Sequence, residues 1–191
     1  MLAASRLLAV IVLGVVASGC GASRHRASAE STTAGLATST ETVAVPPGRP
    51  NPQRFLHWSR AERSVELTLA AGLDSSNNGY NFDGYGRGEL LVTVPVGWRV
   101  TIECVNRSSR RASCAVSPST QHGGPAIPGA TIAHAVTGLA PGARASFAFT
   151  PRRTGSYRLV SLVPGQAGAR MFDVLDVVRG GVPSASARAG P

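Results

Sequence analysis

Short runs in which apolar and polar residues alternate dominate the middle of this chain. The alternation is clearest at 64–71, where Val65, Leu67 and Leu69 are separated by polar neighbours. A period of two is typical of strands that bury one face, and no stretch shows a sustained helical period with caps. Further runs lie at 89–94, 98–105, 113–116, 145–149, 157–159 and 171–178. Together they predict an all-β sandwich of seven to eight strands with Greek-key connections.

Composition agrees with this class and sets the domain limits. The 191 residues include 22 Gly and 13 Pro, and only 15% are charged, which excludes a coiled coil and disfavours a helical bundle. The 43% of hydrophobic residues excludes a wholly disordered chain. Residues 20–51 are rich in Ser, Thr, Ala, Pro and Gly, which predicts a disordered tether. We expect the folded domain at 52–179 and a disordered tail at 180–191.

The amino terminus carries an export signal. Arg6 precedes an apolar run at 7–17, which is too short for a membrane span but typical of a signal peptide at 1–19. The sequence Val-Ala-Ser-Gly-Cys that ends at Cys20 resembles the lipobox of bacterial lipoproteins. We therefore expect lipidation of Cys20 and a domain anchored at the extracytoplasmic face of the cell membrane. An ordinary secretory signal and an uncleaved anchor remain alternatives.

Charge suggests a docking face but no nucleic-acid partner. The net charge is +9, and all 19 basic residues are arginines scattered along the chain without a dense run. Three of them, Arg107, Arg110 and Arg111, form what we call the arginine turn. It is interpreted as a basic face for an acidic membrane or redox partner protein, and the alternative is a solvated loop.

Two cysteines remain beyond the leader. Cys104 and Cys114 would lie in an oxidising compartment, where an even pair is typical of a disulfide. Two separate buried thiols are the alternative.

Four short segments form a recognisable set. They are the sequences Asn-Phe-Asp-Gly-Tyr at 81–85, Val-Pro-Val-Gly-Trp at 94–98, Thr-Gly-Leu-Ala-Pro-Gly at 137–142, and Val-Pro-Gly at 163–165 with a downstream Met171. Together these segments resemble the sulfocyanin family. The resemblance covers roughly 64–178. It implies a cupredoxin fold, a blue copper centre and a membrane-associated role in respiratory electron transfer. In that fold the strands of Cys104 and Cys114 lie in opposite sheets, so a bridge would join the sheets.

The resemblance also locates the copper ligands, and most of them are substituted. The family's first His falls at Ala112, and its Cys-x4-His-x4-Met pattern falls on Ser161, Gln166 and Met171 in what we call the late loop, residues 161–171. Only Met171 matches. A type 1 centre needs two imidazoles and a thiolate, which a methyl group, a hydroxyl and an amide do not replace. We therefore expect no copper cofactor and a non-catalytic accessory or interaction module at the membrane.

Other functions use different residues. A relocated copper or zinc site would need Cys114 and Met171 with His122 or His134, which are otherwise exposed loop residues. A sulfocyanin-like electron carrier with an unorthodox copper site is one alternative, and an exported metal-handling protein that uses His122, His134 and Met171 is another. No Ser/His/Asp order, phosphate loop or zinc spacing indicates an enzyme.

Overall fold

The described part of the chain contains nine strands. This computed structural model describes residues 45–119 and 124–190, where helix is confined to two 3₁₀ turns, Pro52–Phe55 and Ser76–Gly79. Neither turn of these described segments has the length or hydrophobicity that a membrane-spanning helix needs. The strands are β1 (Leu56–Ser59), β2 (Ser64–Ala71), β3 (Leu90–Pro95), β4 (Arg99–Asn106), β5 (Ala115–Pro118), β6 (Arg144–Phe149), β7 (Gly155–Val160), β8 (Phe172–Val178) and β9 (Ser184–Ala187).

The strands make two sheets that enclose one core. One sheet has the order β1-β2-β4-β6, and the other has the order β5-β7-β8-β3-β9. Pairing is parallel between β2 and β4 and between β3 and β8, and it is antiparallel in the other strand pairs of the described residues. The predicted all-β sandwich is confirmed, with nine strands instead of seven or eight.

The alternation seen in the sequence sets which side chains face the core. Val65 pairs with Val100 and Leu67 with Ile102 along β2 and β4, and all four side chains are buried. Residues directly opposite each other in a ladder share a face, so each strand adds a row of apolar groups to the same core. Removing this surface from water is the main force that holds the sheets together.

The Asn-Phe-Asp-Gly-Tyr segment fixes the loop between β2 and β3. Asn81 accepts from Leu73 N and Gly84 N, and its amide donates to two carbonyl oxygens of the same loop. Asp83 accepts from Ala70 N at 2.8 Å, and the Tyr85 hydroxyl donates to the Pro50 carbonyl at 2.7 Å. The segment that carries much of the family resemblance is therefore structural.

Two expected boundaries are wrong. The tail predicted at 180–191 contains β9, which pairs with β3 and buries Ala185 and Ala187. The tether predicted at 20–51 meets the domain before residue 52, because Arg49 forms a salt bridge with Glu89 and Pro50 accepts from Tyr85. The small side chains of β9 gave no apolar pattern, so its pairing with a sheet edge was not visible in the sequence.

Several predictions concern residues outside those described. The signal peptide at 1–19, the lipidated Cys20, the tether up to residue 44 and the candidate ligand His122 all lie there.

Candidate functional site

Three of the four ligand-equivalent residues border the same small space. Ala112, Gln166 and Met171 line one small cavity of about 10 Å³. The Gln166 side-chain amide donates to the Arg111 carbonyl at 2.7 Å, and Met171 N donates to the Gln166 carbonyl at 3.0 Å. The contact between Gln166 and Arg111 holds the late loop against the segment that follows β4. Ala112 and Gln166 therefore border the same cavity although they are far apart in the sequence.

Ala112 is fixed by backbone pairing. It is 1% exposed, donates from its N–H to the Leu139 carbonyl at 3.2 Å, and accepts from Leu139 N at 2.7 Å. Its side chain is a methyl group, which offers no lone pair to a metal.

Ser161 is tied into a pair of hydroxyl groups. Its Oγ accepts from Ser113 N at 3.1 Å and lies 3.2 Å from Ser113 Oγ. Ser113 Oγ in turn accepts from Leu162 N at 2.9 Å. Both serines are fully buried, so their hydrogen bonds join the start of the late loop to the residues just before β5.

Gln166 and Met171 are the other two residues at ligand-equivalent positions. Gln166 is 6% exposed, and among the described residues its buried Oε1 has no hydrogen-bond partner. Met171 is 2% exposed and packs in the core. The available donors are thus one neutral amide oxygen and one thioether.

This donor set does not fit type 1 copper. That centre takes two imidazole nitrogens and a thiolate in a plane, with a weak axial thioether. At the positions that the resemblance implies for the three strong ligands, this chain has a methyl group, a hydrogen-bonded hydroxyl and an amide. Within 45–119 and 124–190, no group of three or more His, Cys, Asp and Glu side chains has the arrangement to hold a metal ion.

The two cysteines are joined. Cys104 on β4 and Cys114, one residue before β5, form a disulfide with their Cα atoms 5.8 Å apart. The predicted bridge between the sheets is confirmed, and the alternative of two separate thiols is wrong. A cysteine in a disulfide offers no thiolate, so a relocated metal site built on Cys114 is also excluded in this oxidised chain.

The histidine candidate that is described lies on the surface. His134 is exposed, and its carbonyl accepts from Thr137 N and Gly138 N in a tight turn. Met171, by contrast, is buried.

The arginine turn is exposed at the same end of the sandwich as the small cavity. The Arg110 guanidinium lies 5.0 Å from the centre of the Tyr80 ring, and Arg111 Nη1 donates to the Gly138 carbonyl at 3.0 Å. Arg107 is exposed as well. These contacts orient two of the three guanidinium groups and leave the turn open to solvent.

Two buried carboxyl groups were not recognised from the sequence. Asp83 and Asp173 are fully buried, and each accepts one backbone hydrogen bond, from Ala70 N at 2.8 Å and from Leu90 N at 3.0 Å. Burial raises the pKa of both groups well above the ordinary value of 3.8. On β8, Asp173 and Leu175 lie in the same row of side chains that faces the core. The alternation of the sequence could therefore have indicated that Asp173 is buried.

Two comparisons with known proteins both find similarity to sulfocyanins. The model of the Sulfocyanin (SoxE) domain matches residues 52–124, which include Ala112 and end before the late loop. A sulfocyanin from Sulfolobus acidocaldarius is 29% identical over 130 residues, which are 62% of this chain. The match spans 65% of the length of that relative.

Solved structures of similar proteins include two cupredoxins. Auracyanin A, a "blue" copper protein from Chloroflexus aurantiacus, is 22% identical, with a TM-score of 0.43 over 60% of this chain and 99% of that one. Rusticyanin from Thiobacillus ferrooxidans is 20% identical, with a TM-score of 0.43 over 65% of this chain and 86% of that one. The resemblance to the sulfocyanin family is confirmed by the family model that matches residues 52–124 and by the sulfocyanin relative.

Proposed function

We propose that this chain is a lipid-anchored extracytoplasmic module that does not bind type 1 copper and acts as a non-catalytic accessory or interaction subunit at the membrane. The observation that carries the proposal is the late loop. Ser161 falls at the position that the resemblance implies for the thiolate ligand, and its hydroxyl accepts from Ser113 N and is fully buried.

The chemistry of the donors supports the loss of copper binding. A serine hydroxyl is a hard ligand that stays protonated at neutral pH, and an amide nitrogen has no basic lone pair. Met171 alone gives a weak thioether contact. The neighbouring cavity, at about 10 Å³, has room for no more than a single water molecule.

Copper titration tests this part of the proposal. The unaltered chain should show no intense thiolate-to-copper absorption after addition of Cu(II). The triple variant Ala112→His, Ser161→Cys, Gln166→His supplies the missing ligands around Met171 and should acquire that absorption. A matched variant with Ser161→Ala in place of Ser161→Cys should stay colourless. A blue colour in the unaltered chain would overturn the proposal and favour an electron carrier.

A colourless complex would point elsewhere. If the unaltered chain bound one metal ion without the thiolate absorption, the metal-handling alternative with His122, His134 and Met171 would be favoured. Replacing His122 and His134 together by Asn should then abolish the stoichiometric binding.

The membrane attachment rests on the leader. The short apolar run and the lipobox-like sequence that ends at Cys20 support lipidation and export. The full chain should fractionate with membranes and carry acyl chains on a peptide that begins at Cys20. The variant Cys20→Ala should lose both properties, whereas recovery of its mature chain in the membrane fraction would contradict the anchor.

The interaction role rests on the arginine turn. Its exposed guanidinium groups lie at the end of the domain where the family's metal edge would face a partner, and they would suit an acidic surface. A photo-crosslinker at Ser109 should capture a membrane protein, and replacing Arg107, Arg110 and Arg111 by Gln should remove that product. Replacing Arg152 and Arg153 by Gln is the matched control and should leave it unchanged.

A further inference from the structure

A second, larger cavity lies on the outer face of the five-stranded sheet. Ser117 on β5 pairs directly with Arg158 on β7, so the two side chains share a face, whereas Val116 and Leu159 alternate with them and point to the core. The cavity has a volume of about 410 Å³, within the usual range for small-molecule sites. Ser161 lines this cavity, whereas Ala112, Gln166 and Met171 line the separate small cavity.

The walls of this cavity are mostly apolar. Val160 forms part of the floor next to Arg158, and Val136, which is 64% exposed, stands at the rim. The late loop supplies the opposite wall through Leu162, Val163, Pro164 and Ala167. An apolar ligand would cover surface that now faces solvent, including the exposed Val136.

One charged group faces this apolar space. Arg158 is the only charged residue among the described residues that line the cavity. Its guanidinium carbon lies 4.3 Å from the centre of the Phe172 ring, and it takes part in neither of the two salt bridges found in the described residues. Stacking engages the face of a guanidinium and leaves its in-plane N–H groups available to an oxyanion. The cation is thus held in place without a carboxylate partner.

We propose that this cavity binds a small amphipathic monoanion, a carboxylate with an unbranched apolar chain of medium length. The carboxylate would pair with Arg158, and the chain would lie against Val160 and the late loop. A single guanidinium balances a single negative charge, so a dianionic headgroup would enter this apolar space with one charge uncompensated. The inference goes beyond the proposed function and does not depend on it.

Titration calorimetry with decanoate below its micelle concentration tests the inference. We expect saturable binding of one decanoate per chain. The uncharged analogue decanol should bind the unaltered chain roughly tenfold more weakly or worse, because it lacks the charge that pairs with the guanidinium. Decyl phosphate distinguishes a lipid-like phosphate headgroup from a carboxylate, and binding tighter than that of decanoate would overturn the carboxylate assignment.

Matched variants identify the site. Arg158→Gln should weaken decanoate binding roughly tenfold or more, while Arg152→Gln, which removes an exposed arginine that does not line the cavity, should leave it unchanged. Ala167→Phe fills the space and should abolish binding, with folding checked by near-ultraviolet circular dichroism. Equal binding by Arg158→Gln, or retained binding by a folded Ala167→Phe chain, would overturn the proposal.

A measurement on the unaltered chain avoids any folding defect of the variants. In methyl-labelled protein, decanoate should shift the resonances of Val136, Val160 and Val163 and leave those of Val65 and Val100 in the other sheet unchanged. Uniform shifts of all valines, or no shifts at all, would show that the cavity is not a binding site.

Discussion

Ser113 and Ser161 lie 48 positions apart in the chain and face each other with 3.2 Å between their hydroxyl oxygens. Ser113 N donates to Ser161 Oγ, and Leu162 N donates to Ser113 Oγ. With the contact between the two hydroxyls, these hydrogen bonds join the start of the late loop to the residues just before β5. A hydroxyl in this position is therefore part of the packing. The serine pair therefore holds the start of the late loop in place.

Removal of the Ser161 hydroxyl should destabilise the domain. Ser161→Ala leaves the buried Ser113 N–H without an acceptor, and an unsatisfied buried donor costs about 1–3 kcal/mol. Urea unfolding should show this loss as a lower midpoint with an unchanged slope. Ser117→Ala is the control, because Ser117 is equally buried but makes only one long hydrogen bond of 3.5 Å. An equal loss in both variants would contradict a special role for the serine pair.

Reduction of the disulfide should also lower stability. Cys104 and Cys114 are separated by 10 positions, and closing a loop of this length stabilises a chain by roughly 2–3 kcal/mol. Unfolding with and without dithiothreitol measures the difference, and the double variant Cys104→Ala, Cys114→Ala should not respond to the reductant. If both cysteines of the denatured, unreduced chain react with a thiol label, the bridge does not form in solution.

The sequence predicted the strands that carry an apolar pattern and missed the two that do not. The runs at 64–71 and 98–105 contain regular alternation, so β2 and β4 were located to within one residue. In β1 only Leu56 is buried, and β9 consists of Ser and Ala. β1 pairs with the neighbouring β2, whereas β9 pairs with β3, which lies far away in the sequence. Neither pairing is visible in the local apolar pattern of β1 or β9.

The candidate site, too, could be predicted from the sequence only in part. The resemblance predicted which positions correspond to metal ligands, and the structure brings Ala112, Gln166 and Met171 around one cavity. The partner of Ser161 and the cavity beside Arg158 depend on contacts between segments about 40 to 50 residues apart. Such contacts follow from packing of the whole sandwich, and no spacing in the sequence encodes them.

The buried carboxyl group of Asp173 should make stability depend on pH. Burial raises the pKa of Asp173 in the folded chain well above 3.8, and the nearby Asp83 raises it further. The folded state therefore binds this proton more tightly than the unfolded state. Its contribution is full below a pH of about 4, the range of the unfolded pKa, and is lost as the pH rises through the folded pKa.

The variant Asp173→Asn isolates this effect. The difference in unfolding free energy between the unaltered chain and the variant should shift in favour of the variant as the pH rises from about 4 to about 7. Urea unfolding at several pH values gives that difference directly. A difference that stays constant over this range would mean that Asp173 does not take up a proton on folding.

Gly138 places the late loop against the segment that carries Ala112. Its φ is +72°, and a Cβ built on it would lie 2.6 Å from Val163 Cγ2 and 3.0 Å from the Ala112 carbonyl oxygen. Gly138→Ala should therefore destabilise the domain through both backbone strain and overpacking, by about 2–5 kcal/mol in total. It should also push Val163 and the late loop outward.

Gly142→Ala separates the two causes. Gly142 has a similar φ of +78°, but a Cβ there would meet nothing within 4 Å, so that variant should show only the strain of about 1–2 kcal/mol. The excess loss in Gly138→Ala then measures the contact with Val163. Shortening the neighbour by Val163→Ala should recover part of that excess and leave the Gly142→Ala loss unchanged. Equal losses at the two glycines would show that the late loop yields without cost, which is not expected of a loop held by the buried Ser113 and Ser161 hydroxyls.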